Sequence, residues 1–170
     1  MSDQQAIAAA FALTRRAEFV YVTTNGDGGY PETRVMFNLL KMRNKAVARG
    51  PAQLPDGFAS WLGTNTSSRK VAQVRRDPRV CLYYSDLSTF EGITLSGRLE
   101  EVHDGAVKGA LWMKSWDMYY KGGIDGGDFT VLHFVPERGR YYHGLRVVEF
   151  DASLPLEKSG SRAGGRRAPR

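Results

Sequence analysis

The chain has 170 residues, of which 42% are apolar and 25% are charged, and its formal net charge is +6. This length predicts a single domain, and the apolar fraction is too high for a disordered chain. The single cysteine, Cys81, excludes an intramolecular disulfide framework and a cysteine-cluster metal site. The chain has no apolar run of membrane-spanning length and no signal-peptide pattern, so we expect a cytoplasmic protein without a membrane partner.

The positive charge is concentrated at the C-terminal end. Residues 156–170 carry five basic side chains and one acidic side chain, a net charge of +4, which leaves +2 for the rest of the chain. Because this end is rich in Gly, Ser and Arg, we predict one domain at residues 1–150 and a flexible basic tail at residues 151–170. A nearly balanced domain argues against binding to nucleic acid, and a tail that acts as a binding arm is the alternative.

The first part of the chain predicts a helix followed by a hairpin. Apolar side chains from Ala6 to Leu13 recur at helical spacing and favour a helix that runs to about Arg16. Residues 18–24 and 33–40 are rich in β-branched and aromatic side chains, which predicts two strands. The sequence between these strands, Asn25 to Gly29, is typical of a tight hairpin turn.

The remainder predicts more strands, interrupted by two helices. Residues 42–56 contain several chain breakers and show no clear pattern. Helices are expected at residues 68–76 and, after the potential N-cap Asp104, at about residues 105–119. Further strands are expected at residues 58–64, 80–84, 92–102, 129–135 and 139–148. Strands at hairpin spacing, without βαβ alternation, predict a mainly β protein with flanking helices, folded as an antiparallel barrel.

The start of the predicted helix at residues 68–76 combines cations with hydroxyl groups. Arg69 and Lys70 lie in its first turn, where a positive charge opposes the helix dipole at a cost of about 0.3–1 kcal/mol each. A bound phosphate ester would remove this conflict, because the helix start offers free N–H groups and nearby Ser and Thr hydroxyls. The alternative is a surface helix whose cations point into solvent.

Arg34 is a further cation in unexpected surroundings. It is followed by Val35 and Met36 in a predicted strand, and an arginine buried there would need a polar partner. Either Arg34 points to solvent, or it faces Arg69 and Lys70 and three cations converge.

The remaining reactive side chains give weaker signals. His103, His133 and His143 have no metal-ligand spacing, so no metal site is predicted. Cys81 lies in an apolar strand, where we expect an unreactive thiol. The sequence contains no nucleophile motif, so no catalytic residue is predicted.

One combination of motifs resembles a known family. Thr64-Asn65, two residues, and then Ser68-Arg69-Lys70 resemble the flavin-phosphate motif of pyridoxamine 5′-phosphate oxidase-like proteins, the FMN-binding split barrels. The chain is most similar to the general stress protein 26 group, over roughly residues 5–148. The resemblance implies a split β-barrel that forms a homodimer and binds FMN in clefts at the dimer interface.

The resemblance also implies roles for individual residues. Arg34, Ser68, Arg69 and Lys70 would bind the phosphate of FMN, while other matching positions would contact the flavin ring. Trp112 and Trp116 would lie near the cofactor cleft, with packing in the core or at the dimer interface as their alternative role. The cofactor-binding residues implied in this way are Arg34, Val35, Met36, Thr64, Asn65, Ser68, Arg69, Lys70, Trp112 and Trp116.

The sequence also departs from the oxidase pattern. Gly63 stands where the oxidases have an aromatic residue, and Leu39 stands where they have a lysine. Residues 141–148 lack the arginine-histidine-aspartate run with which the oxidases bind the phosphate of their substrate. We therefore expect an FMN-dependent oxidoreductase that acts on an unknown small molecule other than pyridoxamine phosphate. The alternatives are a non-catalytic flavin-binding stress protein and a protein that binds deazaflavin or heme in the same cleft.

Overall fold

The computed structural model describes residues 1–42 and 57–155. Within these residues the α-helices are α1 (Asp3–Arg16), α2 (Leu39–Met42), α3 (Arg69–Arg76) and α4 (Gly105–Leu111). The strands are β1 (Phe19–Asn25), β2 (Pro31–Phe37), β3 (Ser60–Asn65), β4 (Arg79–Asp86), β5 (Glu91–Val102), β6 (Phe129–His143) and β7 (Arg146–Asp151). Most of the predicted irregular stretch, residues 43–56, and residues 156–170 of the predicted tail lie outside the described residues.

The seven strands form one antiparallel sheet: six follow the order β2-β1-β4-β5-β6-β3, and β7 pairs with β6 outside this order. Strand β6 is 15 residues long, and its first half pairs with β3 while its second half pairs with β7. The sheet curls until its two outermost strands, β2 and β3, face each other across a cavity that both of them line. The predicted mainly β fold, an antiparallel split barrel with flanking helices, is therefore confirmed.

A bulge bends the two longest strands. The register of β5 against β6 shifts between Ser96 and Gly97, so that Glu137 has no residue opposite it. A Cβ atom at Gly97 would lie 2.1 Å from the carbonyl oxygen of Val135, so only glycine allows this close approach of the backbones. Such bulges increase local twist, which helps the sheet to curl into a barrel.

The main core lies between α1 and the inner face of the sheet. Ala6, Ala10 and Leu13 are fully buried and recur at helical spacing along α1. The sheet residues in the same core include Val20, Val22, Leu62, Leu82, Tyr84, Ile93, Leu95, Leu132 and Phe134. Burial of these side chains is the principal force that holds α1 inside the curled sheet.

A smaller core covers the opposite face of β6. Phe129 and Val131 alternate with the main-core residues of β6 and therefore point to the other side of the sheet. Leu111 from α4 and Trp116 and Tyr120 from the following segment pack against them. This packing places an aromatic segment beside the edge strand β3.

Two predicted elements end earlier than expected. Strand β2 ends at Phe37 because Asn38 turns inward, where its side-chain amide donates to the carbonyl oxygens of Thr14 (2.7 Å) and Ala17 (2.8 Å). The predicted helix at residues 105–119 consists of α4 and a separate 3₁₀ turn at Lys114–Met118. Two glycines in α4 weaken the helix, and the break lets the tryptophans that follow pack onto β6.

The last predicted strands also differ from the structure. The strands expected at residues 129–135 and 139–148 are one continuous strand, β6, followed by β7. The bulge at Glu137 lies in the gap between the two predicted strands and lets β6 continue through it. Of the helices in the described part of the chain, none combines the length and the apolar character needed to cross a bilayer.

Candidate functional site

A cavity of about 270 Å³ occupies the gap between the edge strands β2 and β3. Its walls come from the end of β2 with α2, from the end of β3, and from the aromatic segment after α4. The lining residues are Met36, Phe37, Leu39, Gly63, Thr64, Asn65, Trp116, Tyr119 and Tyr120. A mostly apolar, aromatic wall with a few polar groups at one end is typical of a site for a planar organic ligand.

Gly63 and Trp116 together shape one wall of this cavity. A Cβ atom at Gly63 would lie 3.3 Å from the indole ring of Trp116 and 3.3 Å from the ring of Phe129. The absence of a side chain at Gly63 therefore lets Trp116 pack closely against β3. The oxidase pattern has an aromatic side chain at position 63. In this protein the aromatic ring beside position 63 belongs to Trp116, which lies much later in the chain.

The turn between β3 and α3 is held by Asp128, which directly precedes β6. The carboxylate of Asp128 accepts hydrogen bonds from the backbone N–H of Ser67 (2.9 Å) and the side-chain amide of Asn65 (2.8 Å). The backbone N–H of Thr66 donates to the Asp128 carbonyl oxygen (2.9 Å). These hydrogen bonds lower the pKa of the Asp128 carboxyl and fix the backbone that leads into α3.

Ser68 is the N-cap of α3, but its side chain makes no capping hydrogen bond. Its Oγ atom is buried and has no hydrogen-bond partner among the described residues. A buried hydroxyl without a partner costs free energy, on the order of 1–3 kcal/mol. At a helix N-terminus, which favours negative charge, such a hydroxyl is suited to an anionic ligand.

Lys70 lies in the first turn of α3, two residues after Ser68. Its Nζ atom donates to Thr64 Oγ1 (2.8 Å), which joins the start of α3 to the end of β3. The side chain is half-buried, and burial lowers the pKa of Lys70; the nearby Arg34 guanidinium lowers it further. A partly buried cation that is also repelled by a second cation would gain from a negative partner.

Arg34 is held on the inner side of β2 by polar groups that the sequence patterns did not single out. Its Nη1 atom donates to Thr24 Oγ1 (2.6 Å) and to the Val22 carbonyl oxygen (3.2 Å), and its Nη2 atom donates to Gln73 Oε1 (3.2 Å). Gln73 is buried on α3 and also accepts from Thr24 (2.6 Å). The partners that a buried arginine in this strand requires are therefore present.

Arg69 is the third cation near Lys70 and Arg34, and it lies on the solvent side of them. Its side chain is 73% exposed, and its Nη2 atom lies 2.6 Å from the carboxylate of Glu32 on β2. Glu32 also lies 3.6 Å from Arg34. Burial lowers the pKa of Arg34; Glu32 opposes this effect, and the charge of Arg69 adds to it. Three cations from β2 and α3 thus converge, and one carboxylate lies among them.

Some residues implied by the resemblance lie away from the cavity. Val35 points to the other face of β2 and is 56% exposed. Trp112 packs against Phe129 with ring centroids 4.9 Å apart, and against Trp116 and Tyr120, but it is not part of the cavity lining. Of the two tryptophans, the structure thus places only Trp116 in the cavity wall.

Several residues of the site had no signal in the sequence that singled them out. Thr24, Glu32 and Gln73 surround Arg34, and Asp128 holds the turn before α3. Tyr119 and Tyr120 line the cavity. The alternation along β2 could have identified Glu32, since it shares a strand face with Arg34 and Met36. The others depend on contacts between distant parts of the chain.

The histidines and the cysteine lie outside this site. Within the described part of the chain, no group of three or more His, Cys, Asp and Glu side chains is arranged to hold a metal ion. His133 stacks on Trp61 with ring centroids 4.4 Å apart, and burial lowers the pKa of this histidine. Burial raises the pKa of the half-buried Cys81 thiol, so this thiol is poorly activated as a nucleophile.

A second, larger groove of about 730 Å³ lies along β5, β6 and β7. Its charged side chains pair across the strands, for example Arg140 with Glu149 (3.3 Å). Glu137, also in the groove, pairs with Arg98 outside it (3.9 Å). Because opposite charges alternate there, this groove has no concentration of one charge comparable to that of the cavity between β2 and β3.

The fold and this site together define a class of protein: a split barrel with a cluster of cations at one end of its cleft. A family model described as pyridoxamine 5′-phosphate oxidase matches residues 6–143. The chain therefore belongs to the pyridoxamine 5′-phosphate oxidase family.

Solved structures extend this result. A Clostridium acetobutylicum protein related to general stress protein 26 of Bacillus subtilis is 33% identical, with a TM-score of 0.70, over 88% of this chain and 96% of that chain. An FMN-binding, pyridoxamine 5′-phosphate oxidase-related protein from Nostoc punctiforme shares the fold at 17% identity and a TM-score of 0.57, over 85% of this chain and 87% of that one.

A heme-binding protein from Mycobacterium smegmatis also shares the fold, at 20% identity and a TM-score of 0.58, over 88% of this chain and 57% of that one. Among curated proteins, a search found no match. The fold alone is therefore compatible with different cofactors, and the cofactor has to be argued from the site.

Proposed function

We propose that this protein binds FMN in the cavity between β2 and β3 and acts as a flavin-dependent oxidoreductase. The observation that carries the proposal is the buried, unpartnered Oγ atom of Ser68 at the start of α3. Ser68 lies two residues before Lys70, and the Lys70 charge is in turn close to that of Arg34. Together with an adjoining aromatic cavity, this arrangement supports a ligand with one phosphate group and one planar ring system.

The donors present fit a phosphate ester. Ser68 offers a free hydroxyl, Lys70 and Arg69 offer charge, and the first turn of α3 offers backbone N–H groups. Arg34 adds a guanidinium group whose position is fixed by its hydrogen bonds to β1 and α3. Because Lys70 binds Thr64, the phosphate end and the wall of the cavity are directly connected.

The remaining residues would orient the ring and keep water from it. Met36, Leu39 and Trp116 form apolar walls, and Tyr120 is largely buried behind them. A bound flavin supplies the redox chemistry itself, so the protein needs no acid or base at the site for electron transfer. Asp128 keeps the turn before α3 in place, so that the hydroxyl and N–H donors point to one spot.

The proposed reaction is not the oxidation of pyridoxamine phosphate. The segment from Tyr141 to Val148 lacks the phosphate-binding run of the oxidases, and its side chains have other partners. Tyr141 is buried and donates to Glu91, and Arg146 pairs with Asp3 of α1 (2.6 Å). The substrate is therefore proposed to be a different small molecule.

We further propose that the protein is a homodimer. Phe19, Tyr21, Val35 and Phe37 are exposed on one face of β1 and β2, and the rings of Phe19 and Phe37 lie 5.7 Å apart. Phe37 also lines the cavity, so this apolar face continues into the site. A second copy packed against it would bury these side chains and narrow the cavity opening.

Light scattering tests the proposed dimer. The measured mass should be about twice the 18.9 kDa chain mass, and a monomer at micromolar concentration would contradict the dimer.

A visible absorption spectrum of the purified protein, followed by titration with FMN, tests the cofactor. The proposal predicts quenching of flavin fluorescence that saturates at one FMN per chain. A protein that does not respond to FMN but gives the spectrum of bound heme or deazaflavin would refute the proposed cofactor.

Reduction of the bound flavin separates an enzyme from a non-catalytic binder. The oxidoreductase proposal predicts that NADH or NADPH, added without oxygen, bleaches the visible absorption of the bound flavin. A flavin that stays oxidised with either donor, yet is bleached by dithionite, would favour the non-catalytic flavin-binding protein.

A further inference from the structure

Glu32 is an acidic residue inside a site that otherwise collects positive charge. It lies on the same side of β2 as Arg34 and Met36, two residues before Arg34. One carboxylate oxygen is 2.6 Å from Arg69 and the other is 3.6 Å from Arg34. Glu32 is thus the anionic partner of two of the three converging cations.

The local backbone makes room for this carboxylate. A Cβ atom at Gly26 would lie 2.6 Å from Glu32 Oε1 and 2.7 Å from the backbone carbonyl oxygen of Tyr30, so a larger residue at Gly26 would collide with both the turn and the Glu32 side chain. The hairpin turn between β1 and β2 therefore accommodates Glu32 in its inward position. In this position the Glu32 carboxylate lies between the guanidinium groups of Arg34 and Arg69.

A carboxylate in this position has two opposite consequences for a phosphate ligand. It relieves the repulsion between Arg34 and Arg69, which favours the empty site. It also repels a phosphate that approaches the same guanidinium groups, because the two anions compete for one set of donors. Among the described residues, the half-buried Lys70 has the uncharged partner Thr64 and the Ser68 hydroxyl has no partner, so neither is paired with a carboxylate there.

We propose that Glu32 is a built-in competing anion, which a phosphate ester must displace from Arg69 and Arg34 in order to bind. This inference rests on the proposed function, because it concerns the phosphate end of the same site. Arg69 exchanges its partner when the ligand binds: its guanidinium leaves Glu32 and turns to the phosphate. Its high exposure leaves it free to move, whereas Arg34 stays fixed by Thr24 and Gln73.

The exchange makes the site selective for doubly charged anions. The three cations and Glu32 together carry a net charge of +2, which a phosphate monoester balances, since it carries about −1.5 to −2 charges at neutral pH. A singly charged anion gains less from the cations and displaces Glu32 less readily.

The test is a fluorescence titration of Glu32→Gln with FMN and with riboflavin, which lacks the phosphate. Removal of the competing charge should tighten FMN binding by about three- to tenfold and leave riboflavin binding within about twofold of the wild type. In an Arg69→Ala background the gain should be clearly smaller, because Glu32 then has only one of its two partners. The gain should also shrink at high salt, where charges are screened.

Glu101→Gln is the matched control. This variant also removes one negative charge from an ion pair, here with Arg75 (2.7 Å), which lies in the last turn of α3. It should leave FMN binding unchanged. If Glu32→Gln leaves FMN binding unchanged or weakens it, while wild-type protein prefers FMN to riboflavin, the competing role of Glu32 is refuted and the proposed phosphate site is not. If wild-type protein shows no preference for FMN, the phosphate site itself is refuted.

Discussion

Replacement of Lys70 by methionine tests the phosphate site at a half-buried cation. Lys70→Met keeps the length of the side chain but removes its charge and its hydrogen bond to Thr64. A hydrogen bond to a charged group contributes about 1.5–3 kcal/mol, and each 1.4 kcal/mol changes Kd tenfold, so the full loss is about 10- to 150-fold. Because a phosphate must share Nζ with Thr64, we expect the lower part of this range, about 10- to 30-fold.

The assay is flavin fluorescence quenching, with FMN and riboflavin titrated into the same preparations. Riboflavin binding should change much less, since it has no phosphate to lose a partner. The melting temperature should change little, because the loss of a partly desolvated charge that Arg34 repels offsets the lost hydrogen bond to Thr64. Lys108→Met on α4, outside the cavity lining, is the control for a lost lysine. Equal losses for both flavins, or no loss for FMN, would refute the assignment of Lys70 to the phosphate.

Three further predictions concern the neighbouring residues. Ser68→Ala should weaken FMN binding by about three- to tenfold without affecting riboflavin, as expected for a lost hydrogen bond; a matching loss for riboflavin would contradict a phosphate role. Gly63→Phe should abolish binding of both flavins, because the new ring collides with Trp116 and fills the cavity; calorimetry showing unchanged binding would exclude this cavity as the flavin site. The pKa of Asp128 lies below its ordinary value of 3.8, so its stabilising effect is complete above pH 3.8 and is lost as the pH falls below it. Asp128→Asn should therefore lower the melting temperature at pH 7, and a difference that persists undiminished at pH 2 would contradict this account.

The sequence predicted the elements whose signals are local. The alternation of Ile93, Leu95, Gly97 and Leu99 and the hairpin after Asn25 correspond to β5 and to the β1–β2 turn. Helix α3 begins directly after Ser68, where the helix predicted at residues 68–76 was expected to start. These features could be predicted because each depends on neighbours in the chain.

The parts that could not be predicted depend on distant contacts. The N-cap Asp104 and the apolar residues after it predicted one helix to residue 119, whereas α4 ends at Leu111 and Trp116 packs beside β6 from a separate 3₁₀ turn. In the same way, Arg34 could point to solvent or inward, and only the curl of the sheet brings it to Gln73 on α3. The position of Glu32 among the cations follows from that curl as well.

A crystal structure of the protein with FMN tests the central claim most directly. The account predicts the flavin ring in the cavity beside Trp116, and phosphate oxygens at hydrogen-bond distance, about 2.7–3.2 Å, from Lys70 Nζ and about 2.5–3.0 Å from Ser68 Oγ. A flavin in the groove along β5, β6 and β7, or a phosphate that touches neither Lys70 nor Ser68, would contradict it.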